Sequence, residues 1–367
     1  MNLTDFTFIV TEKCNFECAY CYQKKGEKDI DISNIKKAVD FFSPFFAEKC
    51  HISFYGGEPL LAFELIRETV NYINEKKSEK EIKYSLTTNG SLLDEKIIRF
   101  FNRHKFSIRL SFDGLAQEIF RQKSSFNQIL SNLKRILKHP GIDFDTNSVF
   151  TPETIRYLTK STRYLVELGV PNVKFSLSTL TLWDQQSLDL LRDELESMRN
   201  FLVTFYKKNG SIPVINFRKS YPRGIFACYA GKTRMALAPD GNLWGCFLFW
   251  DYYKTREETG GYRKYCFGRL DSFIKNLIKN RNSVYPLISS NYAKLRIDHF
   301  CTPDTFCMLC DEMEDCMVCP VDAAFSGAIM GNVPAHHCEI NKIESRERRL
   351  FREELENKGK SYSNTAS

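Results

Sequence analysis

Six times between Phe6 and Lys208 a short apolar or β-branched run gives way to an amphipathic stretch, and this alternation leaves few folds open. The candidate strands are Phe6–Val10, His51–Tyr55, Ile82–Thr87, Ser107–Phe112, Phe144–Phe150 and Val173–Ser178. The helices between them announce themselves by caps and stripes. Ser33 can cap a helix reaching about Ala47, and Asp94 can cap Glu95–His104. Ile129, Leu133, Ile136 and Leu137 form one apolar face, and Thr151-Pro152 reads as a cap with proline at the first helical position. A last long helix is expected over about Asp184–Lys208. Repeated strand–helix units imply a parallel sheet with right-handed crossovers. Polar motifs follow each of the first four strands: a cysteine loop, Gly56-Gly57-Glu58, Thr88-Asn89-Gly90 and Asp113-Gly114. A barrel mouth gathers such strand ends round one point, whereas an open sheet binds mainly at its switch point. The expected fold is therefore α/β, a partial (βα)6 TIM-like barrel.

Beyond Lys207-Lys208-Asn209-Gly210 the pattern changes to short strands, glycine turns and cysteines, with helical patches at Leu270–Lys279 and about Ile340–Glu356. The expected division is a barrel over 1–210, a small cysteine-rich α+β domain over 211–345, and a helix end with a polar, disordered tail over 346–367. The net charge of +7 is modest for 367 residues, and no basic face interleaved with aromatics argues for nucleic acid. No apolar run is long enough for a membrane helix, and the N-terminus lacks a secretory pattern, so the cytoplasm is the expected compartment. The 13 cysteines are odd in number and clustered, three in residues 14–21 and nine in residues 228–338. Clustering of this kind argues for metal rather than a disulfide framework. Cys50, between the two groups, reads as a buried, inert thiol.

Cys14, Cys18 and Cys21 are spaced C-x3-C-x2-C on the loop leaving the first strand. Three thiolates are one short of the four that normally close an iron–sulfur cluster, which leaves one iron open to a small molecule. Zinc is the alternative for such a motif taken alone. The motif, followed by Tyr22, together with Tyr55-Gly56-Gly57-Glu58-Pro59, Thr87-Thr88-Asn89-Gly90 and Ser111-Phe112-Asp113-Gly114, resembles the radical S-adenosylmethionine (SAM) enzymes. That resemblance implies a [4Fe–4S] cluster on Cys14, Cys18 and Cys21 whose open iron is chelated by the methionine part of SAM. It places Gly56, Gly57 and Glu58 near the methionine amino group, and Tyr20 against adenine. Thr88, Asn89, Ser111 and Asp113 fall on ribose or carboxylate. Arg121 stands about where relatives hold the methionine carboxylate, on a segment about two residues shorter.

The distal cysteines run Cys228, then Gly241-x4-Cys246, Cys301, Cys307-x2-Cys310, Cys316-x2-Cys319-Pro320 and Cys338. They resemble the SPASM extension, which carries two auxiliary four-iron clusters, so three [4Fe–4S] clusters are implied in all. Cys307, Cys310, Cys316 and Cys338 would hold an outer cluster, and Cys228, Cys246 and Cys319 an inner one. Structural zinc sites are the alternative. The last pair is spaced x2 where the usual pattern has x3. Arg234 occupies the place where sulfatase-maturing relatives carry the inner cluster's other cysteine. Cys301 is the favoured substitute and Cys266 the second candidate; otherwise an open iron could take a substrate thiolate. Those relatives also carry an aspartate general base directly after the second inner cysteine, where this chain has Phe247.

The resemblance implies an enzyme that abstracts hydrogen from a ribosomally made precursor peptide and forms a thioether or carbon–carbon cross-link. It also implies a reducing partner such as flavodoxin or ferredoxin. With the first motif at residue 14, leader recognition is expected to use the body of the protein or another chain. The competing readings are modification of a metabolite or protein side chain by the same chemistry, an iron–sulfur electron carrier, or a zinc-stabilised binding module.

Overall fold

The computed structural model describes residues 1–76, 80–218, 228–279, 284–298, 307–313, 316, 319–327 and 329–356. Its centre is one sheet in the strand order β6-β5-β4-β3-β2-β1-β7-β8-β9. The first six strands are β1 (Leu3–Thr11), β2 (Phe46–Gly56), β3 (Glu81–Thr88), β4 (Ser107–Ser111), β5 (Asp143–Phe150) and β6 (Val173–Leu177). Each is parallel to the next in chain order. A sheet in unbroken succession has no switch point, so all crossovers run the same way round, as in a barrel. Among the described residues the ring is left open: β6 pairs with β5 alone, and its outer edge is covered by a bridge from Val173 to Val214. Asn216 supports that cover, its side chain accepting from Phe175 N and donating to Phe175 O.

β1 lies in the middle, and Phe6, Phe8, Ile9 and Val10 are buried on both of its faces, as a central parallel strand requires. Phe8, Phe54, Tyr84 and Phe106 stack as a ring ladder across neighbouring strands. On the other side of β1 the sheet continues into β7 (Arg234–Leu237), which is parallel to it. β8 (Asn242–Trp244) and β9 (Cys266–Arg269) then follow antiparallel. The cysteine-rich segment is thus continuous with the barrel's own hydrogen-bond ladder.

The connecting helices are α1 (Ile32–Phe42), α2 (Phe63–Glu75), α3 (Glu95–Arg103), α4 (Phe126–Ile136), α5 (Leu158–Glu167) and α6 (Gln185–Asn209). Asp94 and Asp184 cap α3 and α6 as their sequences suggest, and the break at residue 210 is a left-handed glycine ending α6. Two starts differ from expectation. α1 is capped by Asp31, whose side chain accepts from Ser33 N, and Pro44 ends it early, so Ala47 belongs to β2. Thr151-Pro152 opens a turn, since Thr151 N is spent on Thr154 Oγ1, and α5 begins only at Leu158.

Farther on come α7 (Phe247–Tyr253), α8 (Gly260–Tyr265), α9 (Leu270–Lys279), α10 (Val284–Asp298), α11 (Pro320–Phe325) and α12 (Ala335–Glu356). Of the end segment expected over 346–367, residues 346–356 complete α12 and residues 357–367 lie outside the described residues. No helix among the described residues is long and apolar enough to cross a membrane.

Candidate active site and cysteine clusters

The cysteine loop leaves β1 and is tied at its base: Glu12 N donates to Lys28 O and Ile30 N to Val10 O. Phe16 is driven into the core between Cys14 and Cys18, with its amide donating to Cys14 Sγ at 3.5 Å. Cys14 and Cys18 are half-buried and Cys21 is exposed. Desolvation raises all three thiols, Cys18 to about 11, and neighbouring cysteine charge adds to the rise at Cys14 and Cys18. Three thiols gathered and held neutral by burial are a donor set that a cation would deprotonate, which fits a metal group. Among the described residues, no three cysteine, histidine or carboxylate side chains are already closed tightly enough to hold a single ion.

The glycines after β2 let this loop dock. A Cβ on Gly56 would fall 2.2 Å from Thr11 O, and one on Gly57 would lie 2.3 Å from Lys13 O and 2.9 Å from Cys14 Cβ. Glu58 then fastens the arrangement. Its amide donates to Lys13 O at 2.8 Å, while its buried carboxylate accepts from Leu60 N at 3.0 Å, Thr88 Oγ1 at 2.7 Å and Asn89 N at 2.7 Å. Burial raises this carboxyl to about 7. Asn89 extends the chain of bonds back to the cysteine loop, donating to Asn15 Oδ1 at 2.9 Å.

Asp113, after β4, is the second hub. It accepts from Tyr20 OH at 2.6 Å, Val149 N at 2.7 Å, and Arg121 through Nε at 3.0 Å and Nη2 at 2.8 Å. Both members of the Asp113–Arg121 pair are buried. Arg121 ends a π-helical turn, Gln117–Arg121, of the kind often found at functional sites. Phe120 O of this turn accepts from Ala19 N, and the Gln122 side chain from Glu17 N, so the turn backs the cysteine loop. Of the expected cofactor residues, Tyr20, Gly56, Gly57, Glu58, Thr88, Asn89, Asp113 and Arg121 are joined through the loop by these contacts. Ser111 is half-buried beside Asn147 of β5.

One cluster was not foreseen. Asp251, on α7, is buried and accepts from Tyr55 OH at 2.8 Å and from Gln23 Nε2 at 3.2 Å, with Lys254 Nζ at 3.7 Å. Tyr55 OH also meets Tyr22 OH at 2.8 Å. Burial raises the Asp251 carboxyl to about 6. The residue lies one helical turn beyond Phe247, whose ring packs 4.0 Å from that of Tyr55. A lone acid inside the run Cys246-Phe247-Leu248-Phe249-Trp250-Asp251-Tyr252-Tyr253 is the signal that marks it.

The distal cysteines fall into two places. Cys307, Cys310, Cys316 and Cys338 line one pocket, with Asn341 and Lys342 on its wall. Cys246 and Cys319 hold the N-cap positions of α7 and α11. Burial pushes Cys246 up to about 12 and Cys319 far up, and Cys228 adds its charge to both. Cys266 sits on β9 opposite Trp244, its sulfur accepting from Gly268 N at 3.3 Å and from Tyr262. Arg234 is turned toward Asp5 at 3.2 Å. Cys301 lies outside the described residues.

Residues 8–165 match the model of the Radical SAM superfamily. Those residues therefore form a radical SAM domain, a domain type that implies a [4Fe–4S] cluster and SAM, and the chain continues beyond it in a C-terminal region. Among curated relatives, an uncharacterised protein of Methanocaldococcus jannaschii is 36% identical over 173 residues, covering 46% of this chain and 60% of that protein. The chain spans 60% or less of the length of the first curated relatives it matches. Among solved structures, anSMEcpe with bound AdoMet superposes with a TM-score of 0.73 at 18% identity, over 97% of this chain and 96% of that one. The same protein has also been solved with the Cp18Cys peptide. SuiB of Streptococcus suis bound to the precursor peptide SuiA gives 0.57 at 13% identity, over 89% of this chain and 74% of that one. At these identities the structural likeness is one of fold.

Proposed function

We propose that this chain is an enzyme that binds SAM on the open iron of a cluster held by Cys14, Cys18 and Cys21, and that its substrate is a peptide. The observation that carries the reading is the hydrogen-bonded ring joining the cysteine loop to the ends of β2, β3 and β4 through Glu58, Asn89 and Asp113. When bound, this cofactor pair supplies one-electron cleavage of the sulfonium to a 5′-deoxyadenosyl radical. The chain's part is to place and shield. Gly56 and Gly57 bring backbone close to the loop, and Tyr20 is held by Asp113 at the adenine position. Arg121 spends Nε and Nη2 on Asp113, which leaves Nη1 for the methionine carboxylate.

The cavity shared by Cys307, Cys310, Cys316 and Cys338 supports an outer auxiliary cluster, and the triad of Cys228, Cys246 and Cys319 an inner one. Three clusters, a barrel over 1–210, a SPASM-type extension over 211–345 and an end segment over 346–367 complete the reading. Peptides bound to two proteins of the same fold favour a peptide substrate. Phe247, packed on Tyr55 where sulfatase maturases carry an aspartate, favours thioether or carbon–carbon cross-linking of a precursor peptide over formylglycine formation. Flavodoxin or ferredoxin would supply the electron, in the cytoplasm.

Anaerobic reconstitution tests this directly. The chain should hold roughly 12 iron atoms and little zinc. Cys14→Ala should abolish release of 5′-deoxyadenosine while about two-thirds of the iron remains. Zinc in place of iron, or unchanged SAM cleavage in Cys14→Ala, would sink the reading. Mass spectrometry of short cysteine-containing peptides encoded beside this gene, after co-expression, would identify the bond formed.

A further inference from the structure

Among the described residues the inner triad is one ligand short, and α11 carries a side chain suited to complete it. Cys319 is the N-cap residue of α11 and Asp322 its third helical residue. Side chains at these two positions share one side of a helix start, the relation by which an N3 carboxylate reaches back over the N-cap. Asp322 N donates to Cys319 O at 3.1 Å, which closes the turn and fixes the two relative to each other. After burial itself, the charge of Asp322 is the largest influence on the Cys319 thiol, ahead of Cys246 and Cys228. α11 also packs on α7, so the turn that carries Cys319 and Asp322 meets the helix that begins at Cys246.

The two aspartates of α7 and α11 are unlike. Asp251 is met by Tyr55, Gln23 and Lys254. Asp322 is half-buried, and its carboxylate has no hydrogen-bond or ion-pair partner among the described residues. Its charge also reaches Tyr22, and Phe325, three residues on, packs 5.0 Å from the Tyr22 ring. Asp322 thus stands where the triad faces the N-terminal cysteine loop.

We propose that the Asp322 carboxylate is the fourth iron ligand of the inner cluster, completing Cys228, Cys246 and Cys319 with one oxygen. This rests on the reading that the triad holds a cluster. Asp322 then supplies the ligand that Cys301 and Cys266 were considered for, and no iron of the inner cluster is left open to a substrate thiolate. The inner cluster is assigned to electron uptake rather than to substrate binding. Replacing a thiolate by a weaker donor also raises a cluster's potential.

The test uses the full chain, reconstituted with iron and sulfide, in a parent where Cys14, Cys18, Cys21, Cys307 and Cys310 are all alanine, so that the inner cluster alone gives a signal. The electron paramagnetic resonance spectrum of the reduced parent should not change on adding 2-mercaptoethanol. Asp322→Ala should keep most of its iron, but its spectrum should shift with 2-mercaptoethanol as the thiol enters the vacated position. Asp322→Cys should load fully and titrate at a lower potential than the parent. The proposal falls if the parent itself responds to the thiol, if Asp322→Ala leaves spectrum and potential unchanged, or if Cys301→Ala is the change that opens the iron. A parent that binds no iron overturns the inner-cluster reading, and this proposal with it.

Discussion

Arg121→Met isolates the contact on which the geometry round Tyr20 depends. In the folded chain Asp113 and Arg121 are almost completely enclosed and joined by two hydrogen bonds of 3.0 and 2.8 Å. Removing the guanidinium leaves a buried carboxylate with only Tyr20 OH and Val149 N to satisfy it. Breaking one side of such a pair costs about 3–5 kcal/mol, since the remaining charge stays desolvated. An unfolding entropy of about 2.1 cal/mol/K per residue over 367 residues gives roughly 0.8 kcal/mol per degree. The expected loss is therefore about 4–6 °C in the unfolding midpoint of the iron-free chain. The double substitution Asp113→Asn with Arg121→Met should lose markedly less than the sum of the two single ones, because no charge is then stranded. Differential scanning calorimetry of the four proteins reads this directly. Additive losses, or a drop under about 1 °C for Arg121→Met, would show that the pair does not carry the load assigned to it.

Two further outcomes follow from the same contacts. Gly57→Ala would put a methyl 2.3 Å from Lys13 O and 2.9 Å from Cys14 Cβ, so the cysteine loop must move; the variant should fold, yet lose the iron of the N-terminal cluster, read by iron analysis and loss of 5′-deoxyadenosine release. Asp251 is raised by burial to about 6 from an ordinary 3.8, so the stability it lends is complete below pH 4 and is lost as pH rises through 6. That amounts to about 3 kcal/mol, and Asp251→Asn should gain on the wild type over this window in melting curves taken across it; parallel curves for the two proteins would contradict the assignment.

The barrel was legible because each of its signals is local. A buried parallel strand is an apolar run, a helix start is an Asp94 or Asp184, and a polar motif after a strand end is a mouth residue wherever the strands close. The errors were local too. Ser33 and Thr151 are good caps by type, but Asp31 stands two residues earlier with a side chain that reaches Ser33 N, and Thr154 already holds Thr151 N. The sheet's continuation through β7 to β9 could not be read, because β7 pairs with β1 across more than 200 residues of sequence and nothing in Arg234–Leu237 names that partner.

The same contrast runs through the site and explains why its cysteines were visible while its acids were not. A C-x2-C or C-x3-C-x2-C run converges on a metal by virtue of its own spacing, so the ligand chemistry is written in a few consecutive residues. Asp251 and Asp322 have no such spacing to declare them, and on sequence alone each is an ordinary polar residue in a short helix. What distinguishes them is their setting: Asp251 is buried with three partners, two of them on other segments, and Asp322 is half-buried with none recorded among the described residues. The two helices concerned, α7 and α11, pack on each other and begin at Cys246 and Cys319. Placing those two cysteines together therefore also brings Asp251 against the tyrosines of the barrel mouth and Asp322 against the inner triad. On this account Asp322 should matter to the inner cluster and Asp251 to the docking of Tyr22 and Tyr55, so the two substitutions should separate cleanly: Asp322→Ala alters the inner cluster's spectrum without the pH-dependent stability change, and Asp251→Asn does the reverse.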